Sequence, residues 1–260
     1  MNFWCYPVTA YTFERIDRND SALLIIDHQV GLIGIVRDSS TEDMYNNIIL
    51  HASLGETYNL PVVITTSTDQ GTFVSRQLLM ERLPYDKSSC GEGPNGPLLP
   101  EISDMYPDVT IVRRGGEINA WDNADFRAAV KATGKKQVIV GGITTDVSRF
   151  SCKSYGYVIF NPKIVTQVCT MFVSLSLLEA GYTVFANADA SGTFDARAAD
   201  LANARMRDAG VYVIPQFAVA ADLQRDWRNP PGIPVFLDLL FKYVCFYVEA
   251  KTFGIISGMT

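Results

Sequence analysis

Six short apolar runs, rich in β-branched residues, are spaced along the chain at intervals too long for hairpins. They cover residues 22–27 (ALLIID), 62–66 (VVITT), 110–112 (TIV), 137–142 (QVIVGG), 183–188 (TVFANA) and 211–214 (VYVI). Each is near-continuously apolar rather than alternating, which predicts strands buried on both faces. Between them lie longer amphipathic segments, read as helices over 42–58, 124–133, 169–180 and 196–209. Gly134, Gly181 and Gly210 stand where helix-ending glycines would. Strands alternating with helices, joined by right-handed crossovers, predict an α/β domain. It is a three-layer αβα, doubly wound, Rossmann-like sheet, mostly parallel and of about six strands. Ligands of such sheets gather beyond the carboxyl ends of the strands, so the residues just after each run are the ones to inspect.

Two stretches break this rhythm. Residues 71–92 (GTFVSRQLLMERLPYDKSSCGE) and 147–167 (VSRFSCKSYGYVIFNPKIVTQ) intrude where connections of about 4–6 residues are usual. No internal repeat or low-complexity linker accompanies them.

Composition narrows the classes. With 260 residues, 48% hydrophobic and 19% charged, the chain is long and apolar enough for a sizeable globular core. A net charge of −6 without any Lys/Arg-rich run argues against a nucleic-acid or anionic-membrane partner. Five cysteines (Cys5, Cys90, Cys152, Cys169, Cys245) are scattered and never spaced as CxxC, which fits neither a disulfide framework nor a zinc site. Two histidines, His28 and His51, are too few and too far apart for a histidine metal cluster, so no metal is expected. The start lacks a basic stretch followed by an unbroken apolar one. The apolar window 233–248 holds Asp238 and Lys242 and is too short to span a bilayer. A cytoplasmic location is the expectation.

Four places can carry chemistry. Asp27 ends the first run, where partial burial would suit a general base, or where it could equally cap the following turn. Arg114 follows the third run and could hold a thiolate, a carboxylate or a carbonyl; its neighbour Arg113 could do the same, and one of the two should face solvent. Asn119, Trp121, Asp122 and Asn123 form a polar–aromatic cluster before a helix; Asp122 or Asn123 suits the N-cap, and Trp121 suits either a pocket wall or the core. Cys169 opens an apolar helix, where unpaired N–H groups favour a thiolate and can hold an oxyanion. Beside Met171, Phe172 and Val173 it could also be a buried, inert thiol. His28 should point away from Asp27 and be structural.

Taken together, LLIIDHQVGLIGIVRD, NLPVVITTS, GPNGPLLPEI, INAWDNADFRAAVKATGKKQVIVGGITTDV, CTMFVSLSLLEAGYTVFANADASGTF and DLQRDWRNPPG resemble the YcaC-like branch of the isochorismatase-like hydrolases. The resemblance runs from about 15 to 232 and leaves out the two intrusive stretches. It implies a catalytic set of an aspartate after the first strand, a basic residue after the third and a cysteine opening the helix after the fourth, which here are Asp27, Arg114 and Cys169. Most of the superfamily carries lysine at the basic place, while the YcaC-like branch is similar to this chain in having arginine. The resemblance further implies a substrate pocket near Asn119, Trp121 and Phe172, and backbone N–H donors for an oxyanion in the turn holding Thr145 and Val168. It implies no cofactor. The activity so implied is cysteine hydrolysis of a small C–N, amide-type substrate by a homo-oligomer. A cysteine-independent vinyl-ether hydrolase driven by Asp27, and an inert or assembly subunit, are the rival readings.

The expected organisation is an N-terminal extension over 1–14, a hydrolase domain over 15–232 and a C-terminal tail over 233–260 that could contact a neighbouring subunit. Joining Gln70 to Gly93 and Asp146 to Val168 restores the family's TTSTDQGPNGPLLPEI and GGITTDVCTMF, which marks 71–92 and 147–167 as inserts. Their ends permit translation of intron boundaries: Val147-Ser148 can be encoded by GTAAGT and Gln167 by CAG. Retained introns predict a dominant mature transcript lacking both segments. Transcript sequencing that finds both present would remove this origin.

Overall fold

The computed structural model describes residues 13–69, 95–143 and 168–243. The two intrusive stretches lie outside them, as do Thr145, Cys5, Cys90, Cys152 and Cys245.

Six strands form one sheet: β1 (Ser21–Ile26), β2 (Val62–Ser67), β3 (Ile111–Arg114), β4 (Gln137–Gly142), β5 (Thr183–Asn187) and β6 (Tyr212–Ile214). All pair in parallel, in the order β3-β2-β1-β4-β5-β6. The chain winds outward from β1 through β2 to β3, then returns to β1's other side with β4. A crevice therefore opens between the carboxyl ends of β1 and β4, where successive connections diverge to opposite faces.

The helices are α1 (Val30–Ile33), α2 (Thr41–Tyr58), α3 (Pro100–Met105), α4 (Ala124–Ala132), α5 (Val168–Glu179), α6 (Ala196–Ala209), α7 (Gln216–Gln224) and α8 (Gly232–Tyr243). Alternate strand residues face opposite layers. Leu23, Ile25, Ile64, Ile139 and Phe185 pack under α2 and α7, against Ile48, Leu54, Val219 and Leu223. Leu24, Ile26, Val63, Val140 and Val184 pack under α4, α5 and α6, against Phe126, Val173, Leu177 and Met206. Both faces are covered, which is why the strand sequences show no polar alternation.

Helix ends follow local chemistry. Ser40 accepts from the Asp43 amide at 3.0 Å and Asp195 from Ala198 at 2.9 Å. Asn123, rather than Asp122, caps α4 by accepting from the Asp125 and Phe126 amides, each at 3.0 Å. Gly134 and Gly210 take φ of +66° and +106° just past their helices, a region that strains any residue with a Cβ. The apolar tail begins with α8, which packs against α2 and seats Phe236 between Phe217 and Trp227, with centroids 5.3 and 4.6 Å away. No helix among the described residues is long and apolar enough to cross a membrane.

Two buried histidines occupy the α2 side of the sheet, with ring centroids 6.0 Å apart and planes perpendicular. His51 lies over Gly141, whose absent Cβ would stand 2.8 Å from its Nε2. The Asn187 amide donates to His51 Nδ1 at 3.0 Å, which leaves Nε2–H to donate to the Leu24 carbonyl at 3.2 Å. His28 places Nε2 3.0 Å from the Ala190 carbonyl, and its Nδ1 has no hydrogen-bond partner among the described residues. Burial drives the His28 pKa down to about 3, with repulsion from His51 adding to it and the Ala190 bond opposing. Burial takes His51 to about 4. Both rings are therefore neutral in the fold, whereas in the unfolded chain they titrate near ~6.5. Because the unfolded state gains protons first, their contribution to stability is complete above that pH. It is lost as pH falls toward the folded values. Urea unfolding from pH 6.5 to 5 should show stability dropping by about 1.4 kcal/mol per pH unit for each histidine. A flat profile over that window would contradict two buried neutral rings.

Candidate active site

The site is assembled at the carboxyl edge of the sheet. β1 stops at Ile26, and Asp27 turns into the left-handed region with φ of +56°. For a residue with a Cβ that conformation costs on the order of 1 kcal/mol and persists where its surroundings over-determine it. The Asp27 amide donates to the Thr65 carbonyl at 2.9 Å, and its own carbonyl accepts from the Gln29 amide at 2.8 Å. The Gln29 side chain is clamped in turn. Its amide donates to the carbonyls of Ser67 (3.1 Å) and Gly96 (2.6 Å), and its oxygen accepts from the Ser67 amide (3.0 Å). With His28 tied to Ala190, the segment is fixed on both sides.

β3 carries two arginines that part company, as alternation requires. Arg113 faces outward, with its side chain 47% exposed, and pairs with Asp69. Arg114 turns inward and is completely buried against an equally buried Asp27. Its three nitrogens meet three different partners: Nη2 donates to the Asp27 carboxylate, Nη1 to the Glu117 carbonyl, and Nε to Thr65 Oγ1 at 3.0 Å. Burial opposes the charge on Arg114. The Asp27 carboxylate outweighs that, with Cys169 and Glu117 acting in the same direction, and the guanidinium pKa is raised.

Cys169 is the second residue of α5, buried in the core on that face with its thiol outside any disulfide. The first turn of α5 is tied to the sheet by Thr170, whose hydroxyl donates to the Gly142 carbonyl at 2.9 Å. A Cβ at position 142 would stand 2.8 Å from Ile26 Cβ and 2.9 Å from Thr170 Oγ1, so only glycine lets β1, β4 and α5 converge there. The first-turn N–H groups of such a helix lack intrahelical partners and favour an adjacent thiolate.

The other anticipated residues sit further along α5. Phe172, one turn beyond Cys169, is half-buried against the same core. Asn119 donates to Ser176 Oγ at 2.9 Å while accepting from the Trp121 amide at 3.1 Å. Ser176 lies seven residues beyond Cys169, about 10 Å along the helix axis. Trp121 packs edge-on against Phe126 and Tyr182, with centroids 6.4 and 6.0 Å away. Asn119 and Trp121 are therefore held against the far half of α5 rather than beside the thiol. Val168 opens α5; its side chain, like Thr145, lies outside the described residues.

Sequence reasoning missed a polar collar around the pair. Gln29, Thr65, Ser67, Thr68, Asp69 and Asn95 are all buried, and the Asn95 amide reaches the Ser67 carbonyl at 2.8 Å and Thr68 Oγ1 at 2.7 Å. Its trace was present in TTSTD, a run of polar residues closing an otherwise apolar strand. Among the described residues, no cluster of His, Cys, Asp or Glu suited to a metal ion is present.

Comparison with known proteins follows the same lines. The isochorismatase domain model matches residues 21–150. Over 217 residues, 84% of this chain and 84% of the relative, the sequence is 39% identical to the probable hydrolase YcaC of Escherichia coli K12. The crystal structure of E. coli YcaC, described as an octameric hydrolase of unknown specificity, is similar with a TM-score of 0.69 and 37% identity, covering 90% of this chain and 93% of that one. YcaC from Pseudomonas aeruginosa, solved with hexane-2,5-diol and covalent acrylamide, is similar with a TM-score of 0.67 and 37% identity, covering 90% and 99%. The chain belongs to the isochorismatase family of hydrolases, in its YcaC-like branch.

Proposed function

We propose that this hydrolase cleaves a small C–N, amide-type substrate through Cys169, in the cytoplasm, without a cofactor and as a homo-oligomer. The observation that carries the reading is the buried Asp27–Arg114 pair at the carboxyl edge of the sheet, with Thr170, the neighbour of Cys169 in the first turn of α5, tied to the end of β4. In this reading Cys169 Sγ attacks the substrate carbonyl carbon and the thiol proton passes to Asp27. The resulting oxyanion would be held by backbone N–H groups at the start of α5, the role the resemblance assigns to the turn of Thr145 and Val168. The C–N bond then breaks and Asp27 returns the proton to the departing amine. Water attacks the thioester and gives a proton to Asp27; the C–S bond breaks to release the acid, and Asp27 returns that proton to the Cys169 sulfur. Arg114 stays charged throughout and moves no proton; its Nη2 contact orients the Asp27 carboxylate. Phe172, one turn beyond the thiol, would line the near side of the substrate end of the cleft, and Asn119 and Trp121, further along α5, would meet only the distal end of a substrate.

Two relatives support parts of this. The P. aeruginosa YcaC carries covalent acrylamide, and conjugate acceptors of that kind react with thiolates. The E. coli YcaC is octameric, which supports self-assembly here.

The test is turnover of a panel of small amides by the full chain and by a chain lacking 71–92 and 147–167. Cys169→Ala and Asp27→Asn should each lower kcat by about 10³-fold or more, and prior thiol alkylation should abolish activity. Alkylated protein that still hydrolyses a vinyl ether in an Asp27-dependent way would replace this reading with the cysteine-independent one. Wild-type protein inert in both forms would leave an assembly role.

A further inference from the structure

Arg114 and Asp27 come from β3 and β1, which are not neighbours; β2 lies between them. One residue of β2 touches both. Thr65 is in register with Ile26 on one side and Val112 on the other, and is completely buried. Its carbonyl accepts from the Asp27 amide at 2.9 Å, and its hydroxyl oxygen stands 3.0 Å from Arg114 Nε. A threonine hydroxyl has a single proton. Here that proton goes to the Val112 carbonyl at 2.8 Å, so the oxygen faces Arg114 as an acceptor.

We propose that Thr65 is a positioning residue that sets the plane of the Arg114 guanidinium toward Asp27 and Cys169. With Nη1 on the Glu117 carbonyl and Nη2 on Asp27 alone, the group could tilt about the line joining those nitrogens; the Nε contact removes that freedom. The inward neighbour two residues earlier on the same strand is Val63, packed in the apolar core. The change from methyl to hydroxyl thus occurs at the level of β2 where the Arg114 Nε–H needs an acceptor. An unpaired buried donor on a charged group is costly, so the guanidinium would swing to recover a partner if the hydroxyl were removed. The inference rests on the proposed role of Arg114 beside the Cys169 thiolate.

The test compares Thr65→Val, Thr65→Ser and Thr66→Val in the full chain. Cys169 alkylation by acrylamide is followed against pH, with the labelled residue identified by mass spectrometry. Thr66 is a matched control: its buried hydroxyl serves Asp69 at 2.9 Å on the opposite side of the strand. Thr65→Val should label Cys169 about tenfold more slowly at neutral pH, with the alkylation midpoint raised by about one unit. Thr65→Ser should return the rate to within about threefold of wild type, since it restores the acceptor. Thr66→Val should keep the wild-type profile even if its melting temperature falls. A folded Thr65→Val with the wild-type profile would overturn the inference. A crystal structure of Thr65→Val decides it independently of thiol reactivity: a displaced guanidinium supports it, and an unmoved one overturns it. If wild-type Cys169 reacts no faster than a free thiol, the cysteine mechanism fails, while the structure of the variant still decides the role of Thr65.

Discussion

Two opposite charges buried at the edge of one sheet organise what surrounds them. Asp27 and Arg114 have fully buried side chains, and neither could occupy that place alone. Removing one partner of such a pair typically costs about 3–5 kcal/mol, because the other is left desolvated and uncompensated. The rest of the edge follows from meeting that constraint. Asp27 accepts an unfavourable backbone conformation to face the arginine, and Gln29 and His28 pin the chain on either side of it. Each guanidinium nitrogen finds a separate acceptor. Because the partners come from β1 and β3, the register of β2 between them controls their separation. The parallel sheet is thus part of the site's machinery and not only its support.

The fold was legible because its signals are local and redundant. Runs such as ALLIID and QVIVGG allow little other than doubly covered strands, and Gly210 ends α6 where the periodicity stops. Four helices were not anticipated; α1 is a single turn, and the other three escaped for identifiable reasons. α3 spans only six residues, too few for a periodic face to show. α7 (QFAVAADLQ) is apolar on several sides and so lacks a clear periodic face. α8, the described part of the apolar tail, packs against α2. At the candidate site, Asp27 follows β1, Arg114 ends β3 and Cys169 is the second residue of α5, places that the apolar runs mark out. Thr65 carries no such mark, since a threonine in a strand is ordinary until its neighbours' charges are known. For Asn119 and Trp121, sequence adjacency to the third strand says nothing of which end of α5 they meet. Packing against Ser176 and Tyr182 decides that.

The two foreign-looking stretches pose a mechanical question that the flanking residues answer in part. On one side, Asn95 hydrogen-bonds to Ser67 and Thr68. On the other, Thr170 is tied to Gly142, and Ile143 bridges to Gly192. The start of α5 is therefore located by contacts with β4 and by its packing on β4, β5 and α6. These contacts hold the first turn of α5, and Cys169 with it, against the sheet. That matters because a displacement of about 1 Å between reacting groups can cost on the order of a hundredfold in rate.

The central claim is that Asp27, Arg114 and Cys169 share one cleft. A crystal structure of the full chain after reaction with acrylamide tests it most directly. The expected result is an adduct on Cys169 whose carboxamide lies within hydrogen-bond reach of Asp27, of Arg114 or of the first-turn N–H groups of α5. An unmodified Cys169, or an adduct directed into the apolar core away from the ion pair, would contradict it.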